Sequence, residues 1–451
     1  MGNYEEYGTN IVGLPGGKNV DISHRKVTKK IRITDLAGAP AANVKVRVKQ
    51  KKHEFLFGCN AFETIPLVAA KDKSWSNAFD AIPIVTDEDR AKYDAIVQSC
   101  DMWTDLFNFG TLPFYWGSYE PVEGKVMNKS RHDAAEFLRS RGVAMKGHPL
   151  CWHTECAKWL LEYDNKTILK KQLDRIERDV TEFKGVIDMW DVINEVVIMP
   201  VFDKYDNAIT RLCNEHGRVG LVKMVFDKAK ECNPDATLLL NDFNTTPKYE
   251  ELIAECLDAG VPITAIGIQS HQHQGYWGVD KIYDVLERFS KFGLPIHFTE
   301  NTSVSGDEIP AYIEDLNDWQ VENWPSTPEG ETRQANQMEE MYRILFSHPQ
   351  VKAITNWDFR DGAWLGAPSG VVRKDNTKKP AYNMLMNMIK KEWWTDVEVM
   401  TDAEGYATVE AFKGEYEIII EGEDGVIDNG ATLTDDVICG GRIGSKKFHI
   451  A

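Results

Sequence analysis

The 451-residue chain carries a net charge of -18 and is 43% hydrophobic. That length suits one barrel-sized domain plus a smaller one. The acidic balance repels phosphate backbones, which excludes nucleic acid as an expected partner and suits an uncharged or weakly charged substrate, and no apolar run approaches the roughly 18 residues of a membrane-spanning helix.

The N-terminal stretch "MGNYEEYGTNIVGLPGG" lacks the basic start and apolar core of a signal peptide. The chain is therefore expected to be cytoplasmic, or secreted if a leader has been removed. "GLPGGKN" has glycines and a lysine but not the strand–loop–helix setting of a phosphate loop. The eight cysteines are scattered, without CxxC or zinc-knuckle spacing, and read as free thiols that favour a reducing compartment.

Residues 26–49, "KVTKKIRITDLAGAPAANVKVRVK", alternate in polarity on both sides of a "DLAGAP" turn. From about residue 53 to 395 a different pattern recurs, in which short apolar runs alternate with longer helical stretches. The runs are 55–62, 107–114, 144–152, 189–195, 237–243, 265–271, 295–300 and 353–359. Their near-continuous apolarity suits parallel strands buried on both faces. Between them, Leu169, Leu173, Ile176, Val180 and Phe183, and again Ile282, Val285, Leu286 and Phe289, fall at helical steps. Eight such units predict an α/β fold, a (β/α)8 TIM barrel. Residues 396–420 alternate again around "DAEG" and "KG" turns. The two ends predict one discontinuous β-sandwich of transthyretin-like type, with the barrel inserted between its halves, or else two separate hairpins decorating the barrel. The expected layout is a tail over 1–21, a first part of the sandwich over 22–52, the barrel over 53–395 and a second part of the sandwich over 396–451. The segment after residue 425 carries no readable pattern.

Six of the eight barrel runs begin apolar and carry polar groups toward their ends: His148, Asn194–Glu195, Asn241–Asp242, Gln269–His271, Glu300 and Asn356–Asp358. In a barrel the C-terminal strand ends open on one face, so these groups are expected to converge. Glu195 ends the fourth run and Glu300 the seventh, opposite one another across the mouth. Two carboxylates facing one substrate are what glycoside hydrolysis needs, one as a protonated acid and one as an ionised nucleophile, at about 5–5.5 Å for retention of configuration. Burial and mutual repulsion keep one of such a pair protonated. An amide at Asn194, beside the acid, can bond the sugar 2-hydroxyl.

The motifs resemble those of glycoside hydrolase family 10, the β-1,4-xylanases. "KGHPLCWH" (146–153), "WDVINE" (190–195), "LLLNDFN" (238–244), "IGIQSHQH" (266–273), "HFTE" (297–300) and "KPAY" (379–382) stand in the family's order. The resemblance spans about residues 53–390. It implies Glu195 as acid/base and Glu300 as nucleophile, with Asn194, His148 and Trp152 on the sugar at the cleavage point. It implies Gln269 and His271 beside the nucleophile, with His271 bonded to Glu300. Trp357 and Trp364 match tryptophans of the last loop whose faces stack on sugar rings, and His153 completes the third-strand motif as a further candidate contact.

Three departures stand out. Where the family carries a Glu-Asn pair and a Lys before a Trp, this chain has Thr111, Leu112 and Tyr115 before Trp116, so a polar clamp has become apolar and aromatic. Thr302 replaces an Asp, depriving His271 of a charged partner. The last loop, "WDFRDGAW", is one residue shorter, and Asp358, Arg360 and Asp361 add polar contacts there or pair with each other. The resulting expectation is a retaining endo-1,4-β-xylanase acting on xylan-type polysaccharide or oligosaccharide. The alternatives are the same mechanism on short xylo-oligosaccharides or a plant or aryl β-glycoside, and, more remotely, an inactive sugar-binding barrel. No metal, cofactor, nucleic-acid or membrane partner is expected, and the protein is expected to be a monomer.

Overall fold

A computed structural model describes residues 20–34, 38–69 and 84–422, and beyond these the backbone of a few short strands. The N-terminal stretch with "GLPGGKN", and residues 35–37 of the "DLAGAP" turn, lie outside the described residues. The strands, in chain order, are β1 (Lys26–Ile33), β2 (Lys45–His53), β3 (Leu56–Asn60), β4 (Phe109–Pro113), β5 (Ala144–His148), β6 (Met189–Asn194), β7 (Thr237–Asp242), β8 (Ala265–Gln272), β9 (Ile296–Ser303), β10 (Val351–Asn356), β11 (Asp396–Met400), β12 (Tyr406–Phe412), β13 (Gly414–Gly422), β14 (Gly425–Val426), β15 (Leu433–Thr434), β16 (Val437–Gly440) and β17 (Lys446–Ile450).

Strands β3 to β10 close into a barrel in the order β10-β3-β4-β5-β6-β7-β8-β9. These are the eight apolar runs, and their pairings are parallel. All residues of β4 and β9 are buried, as are all but the first of β5, β6 and β7. That two-sided burial is why the runs read as continuous rather than alternating. The returning helices use the predicted apolar stripes. Of the first stripe Ile176, Val180 and Phe183 are buried and Leu169 and Leu173 half-buried, with Ile168 buried beside them, along the helix Asn165–Glu182, whose start Asp164 caps by accepting from the Thr167 N–H. Ile282, Val285, Leu286 and Phe289 are buried in the helix Gly278–Ser290.

Where strands approach closely, glycine is required. A Cβ on Gly147 of β5 would lie 2.1 Å from the Trp190 ring of β6. Lys146 and Asp191, 0% exposed, pair at 2.6 Å, and His297 is buried, so this part of the barrel carries charge rather than only aliphatic packing.

The barrel belongs to a compact unit over residues 57–383, and a second unit joins 19–56 with 384–451. In the second unit β1 pairs antiparallel with β12 and parallel with β16, while β2 pairs antiparallel with β11 and β13. The N-terminal segment thus gives one strand to each of two sheets, and the C-terminal segment completes both. Ile31 and Ile33 from one sheet pack with Val46, Val48 and Ile418 from the other. The two ends therefore build one sandwich, and the reading as separate hairpins is set aside.

Candidate active site

The C-terminal ends of the barrel strands surround a cavity of about 1710 Å³. It exceeds the usual volume of a small-molecule pocket. Tyr115, His148, Trp152, His153, Asn194, Glu195, Gln269, His271, Glu300, Trp357 and Trp364 all line it, so the structure brings these candidate catalytic and sugar-contacting residues together.

Strand β6 ends in Asn194, and Glu195 then turns with φ 59°, the left-handed region that a non-glycine residue rarely occupies. Its N–H donates to the Asn241 carbonyl at 2.8 Å. One carboxylate oxygen of Glu195 accepts from the Asn194 amide and the Gln269 amide, both at 3.1 Å. The other accepts from the Trp152 indole at 3.0 Å. Glu300, on β9, accepts from Asn241 Nδ2 at 3.0 Å and meets His271 Nε2 at 3.0 Å. Its Oε1 also lies 4.0 Å from His148 Nδ1. The same Asn241 Nδ2 donates to Asn194 Oδ1 at 2.8 Å, and Thr299 Oγ1 fixes the amide by donating to Asn241 Oδ1 at 2.6 Å. One asparagine thus ties the surroundings of the two carboxyls together.

Their electrostatics diverge. Burial, followed by the charge of Glu300, pushes the Glu195 carboxyl up to about 8, against the pull of the Gln269 and Trp152 donors. Burial alone would raise Glu300 as well. The His271 hydrogen bond and the fields of His148, His271 and Lys146 reverse that, and its carboxyl sits below the usual range. Lys146 acts on Glu300 from inside the barrel, where it is paired with Asp191. Asp191 also holds His148 Nδ1 at 2.7 Å, and so orients that ring beneath Glu300.

Aromatic rings form the walls. Trp357 meets His148 and Phe62 edge-on, with centroids 5.4 and 5.5 Å apart. Tyr115 stands edge-on to His148 at 5.5 Å and beside Trp152 at 5.5 Å. Despite the shortened last loop, Trp364 reaches the site, 4.5 Å from the His271 ring. Its neighbours do not pair with one another. Asp358 accepts from Ser369 and the Trp364 N–H, Arg360 pairs with Glu63, and Asp361 pairs with Lys379. His153 borders the cavity but is only 1% exposed, with its ring edge-on to Phe202 at 4.6 Å, and burial lowers its pKa to about 4. Thr302, in place of the expected Asp, puts its hydroxyl 3.4 Å from His271 Nδ1 and 3.3 Å from His273 Nδ1.

The sequence reading did not assign site roles to Asn241, Lys146, Asp191 or Phe62. The first three stand inside quoted motifs, and Asn241 was already visible as a polar strand end. Phe62 left no signal beyond its place just past the first run. Among the described residues no group of three or more histidine, cysteine or acidic side chains has metal-holding geometry.

Comparisons with known proteins converge on one family. The family model for glycosyl hydrolase family 10 matches residues 71–388. An anti-sigma-I factor, RsgI6, of Acetivibrio thermocellus is 25% identical over 410 residues, covering 88% of this chain and 45% of that protein. An endo-1,4-beta-xylanase/feruloyl esterase of Xylanibacter ruminicola is 28% identical over 294 residues, covering 58% of this chain and 39% of that protein. The chain therefore spans less than half the length of both curated relatives. Among solved structures, xylanase 10B of Thermotoga petrophila in complex with xylobiose superposes with a TM-score of 0.58 at 21% identity, covering 75% of this chain and 95% of that one. That likeness bears on the fold.

Proposed function

The chain belongs to glycosyl hydrolase family 10, and on that footing we propose that it cleaves the β-1,4-xylosidic bonds of xylan with retention, as an endo-1,4-β-xylanase. The observation that carries the reading is the opposite protonation of two buried carboxyls in one cavity. Glu195 holds a proton to about pH 8, while Glu300 is ionised well below neutrality. In the first step Glu300 attacks the anomeric carbon as Glu195 gives its proton to the leaving oxygen. A covalent glycosyl-enzyme forms, and one sugar end departs with a free hydroxyl. In the second step Glu195, now a carboxylate, takes a proton from water, the water oxygen attacks the same carbon, and Glu300 leaves.

Asn241 and His271 hold the nucleophile at both oxygens, and Gln269 and Trp152 hold the acid at both of its own. Such fixing of the reacting groups is worth more than their intrinsic reactivity. Asn241, bonded to Glu300 and through Asn194 to Glu195, holds both carboxyls in one hydrogen-bonded network. The ring faces of Trp357, Trp364 and Tyr115 suit pyranose rings, whose C–H groups line one side. His153 is better read as a prop for Phe202 than as a sugar contact.

The test is mass spectrometry of products from the wild type and Glu300→Ala on linear xylan, glucuronoxylan, arabinoxylan, mixed-linkage glucan, cellulose and aryl xylosides. Xylo-oligosaccharides from the wild type alone support the proposal. Cleavage of aryl xylosides without any polymer would move the substrate to small glycosides, in keeping with the apolar Thr111–Leu112–Tyr115 segment. No wild-type hydrolysis at all would leave a sugar-binding barrel.

A further inference from the structure

The loops that follow the barrel strands stand in a ring around the cavity. The loop after β6 (residues 195–207) and the loop after β9 (304–327) are separated in that ring by the loops after β7 and β8. Lys204 joins them, its Nζ 2.6 Å from Asp315 and 2.8 Å from Asp318. The contact is a chord across the ring. On one side lie the loops after β7 and β8, and on the other those after β10, β3, β4 and β5. The cavity continues on both sides, lined by Phe243 and Tyr276 on the first and by Phe62 and Tyr115 on the second. A sugar chain long enough to use both arms would have to pass the Lys204 contact. A chain end can thread there, but the interior of a polymer can enter only if Lys204 lets go.

The two ends of the chord are held differently. The 304–327 loop packs a small core, in which Val304, Ile309 and Trp324 meet Leu316 and Trp319 together with Leu365 and Ala367 of the loop after β10. Gln274, just past β8, donates to the carbonyls of Pro310 and Ile313 at 3.1 and 2.7 Å, so this loop is pinned along its length. The tip of the 195–207 loop is exposed, with Val201 at 68% and Tyr205 at 48%. The ion pairs that meet it are in reach of solvent too: Lys204 is 40% accessible, Asp318 63% and Asp315 32%. Pairs of this kind are weak and are screened by salt. The chord can therefore open while the pinned loop stays in place.

We infer that Lys204, with Asp315 and Asp318, latches the cleft and sets its preference for chain length. Short substrates enter one arm with the latch closed, and the interior of a polymer binds only when it opens. The inference rests on the proposed action on xylan-type chains.

Two variants test it, Lys204→Met and the double variant Asp315→Asn/Asp318→Asn. The readout is kcat/KM on long linear xylan divided by kcat/KM on a short aryl xyloside, at low salt and at about 0.5 M salt. Both variants should raise the ratio about fivefold, the factor that one exposed ion pair can supply. The wild-type ratio should climb with salt, while the ratios of the variants stay flat. A ratio that does not move overturns the latch, and so do opposite changes in the two variants, which would mean that Lys204 grips the substrate itself. Amide hydrogen exchange gives a readout without substrate. Residues 199–206 should exchange faster in both variants and, in the wild type, faster with added salt. Unchanged protection overturns the latch whatever the substrate proves to be, whereas a wild type inert on every xyloside overturns the proposed function and leaves the exchange result to judge the latch.

Discussion

Glu195 and Glu300 carry the same functional group, and their neighbours make them different. Each is bonded at both oxygens, but Glu195 receives neutral amide and indole donors, while Glu300 receives the His271 ring with His148 and Lys146 behind it. The sequence located both carboxylates, because each ends an apolar run, and it placed His271 on Glu300. The resemblance assigned the proton to Glu195, but no local pattern showed the physical cause, in which the His271 hydrogen bond and the fields of His148 and of Lys146, paired with Asp191 inside the barrel, converge on Glu300. A pH profile should show the split. For kcat/KM on a xylo-oligosaccharide, the alkaline limb should fall near pH 8 as Glu195 loses its proton, and the acid limb should lie below the ordinary carboxylate range, where Glu300 becomes protonated. Trp152→Phe removes a donor that favours the charged form of Glu195. The alkaline limb should therefore move up, by about half to one pH unit. An unmoved or lowered limb would show that the indole does not act on Glu195.

At the scale of elements, the strands were legible and their irregularities were not. Burial on both faces writes a strand into composition, which is why eight apolar runs became eight barrel strands. The pairing slips between Asp191 and Ile193, Ile268 and Gln269, and Ile354 and Asn356 leave no such mark. Each lies within a few residues of a site side chain, and such slips re-aim side chains. The 304–327 loop was equally silent, since its order comes from a small core shared with Leu365 and Ala367 and from Gln274 rather than from any periodicity. Gly267 shows how far an element's backbone controls the chemistry. A Cβ there would lie 2.4 Å from Asn241 Oδ1, the atom that Thr299 holds. Gly267→Ala should push Asn241 away from Glu300 and Asn194. Misplacement of this size lowers kcat by about tenfold to a hundredfold, while the strain costs about 1–3 kcal/mol and only a few degrees of melting temperature. Gly220→Ala is the control, because the nearest atom to its new Cβ would be 3.5 Å away. A Gly267→Ala protein with full kcat would show that Asn241 tolerates the shift and does not position the nucleophile.

At the scale of the molecule, two units have separate hydrophobic cores, and only one of them holds the cavity. The sandwich was readable at both ends because its strands bury one face and wet the other, which writes alternation into the sequence. Its partnership was harder to read. β1 and β2 are sequential neighbours but stand in different sheets, and each finds its partners more than 300 positions away. Pairing that distant cannot be seen in a local pattern. It also makes the sandwich depend on both chain ends at once. Val48 is fully buried there, with Val397 and Ile418 as its neighbours across the strands. Val48→Ala removes two methyl groups from that core and should cost it about 2 kcal/mol. Units with their own cores unfold as separate transitions unless their interface couples them. Calorimetry of Val48→Ala should then show one transition lowered and the other in place, with hydrolysis at 25 °C unchanged. If a single transition moves as a whole, the sandwich and the barrel unfold as one body, and the terminal strands stabilise the catalytic unit directly.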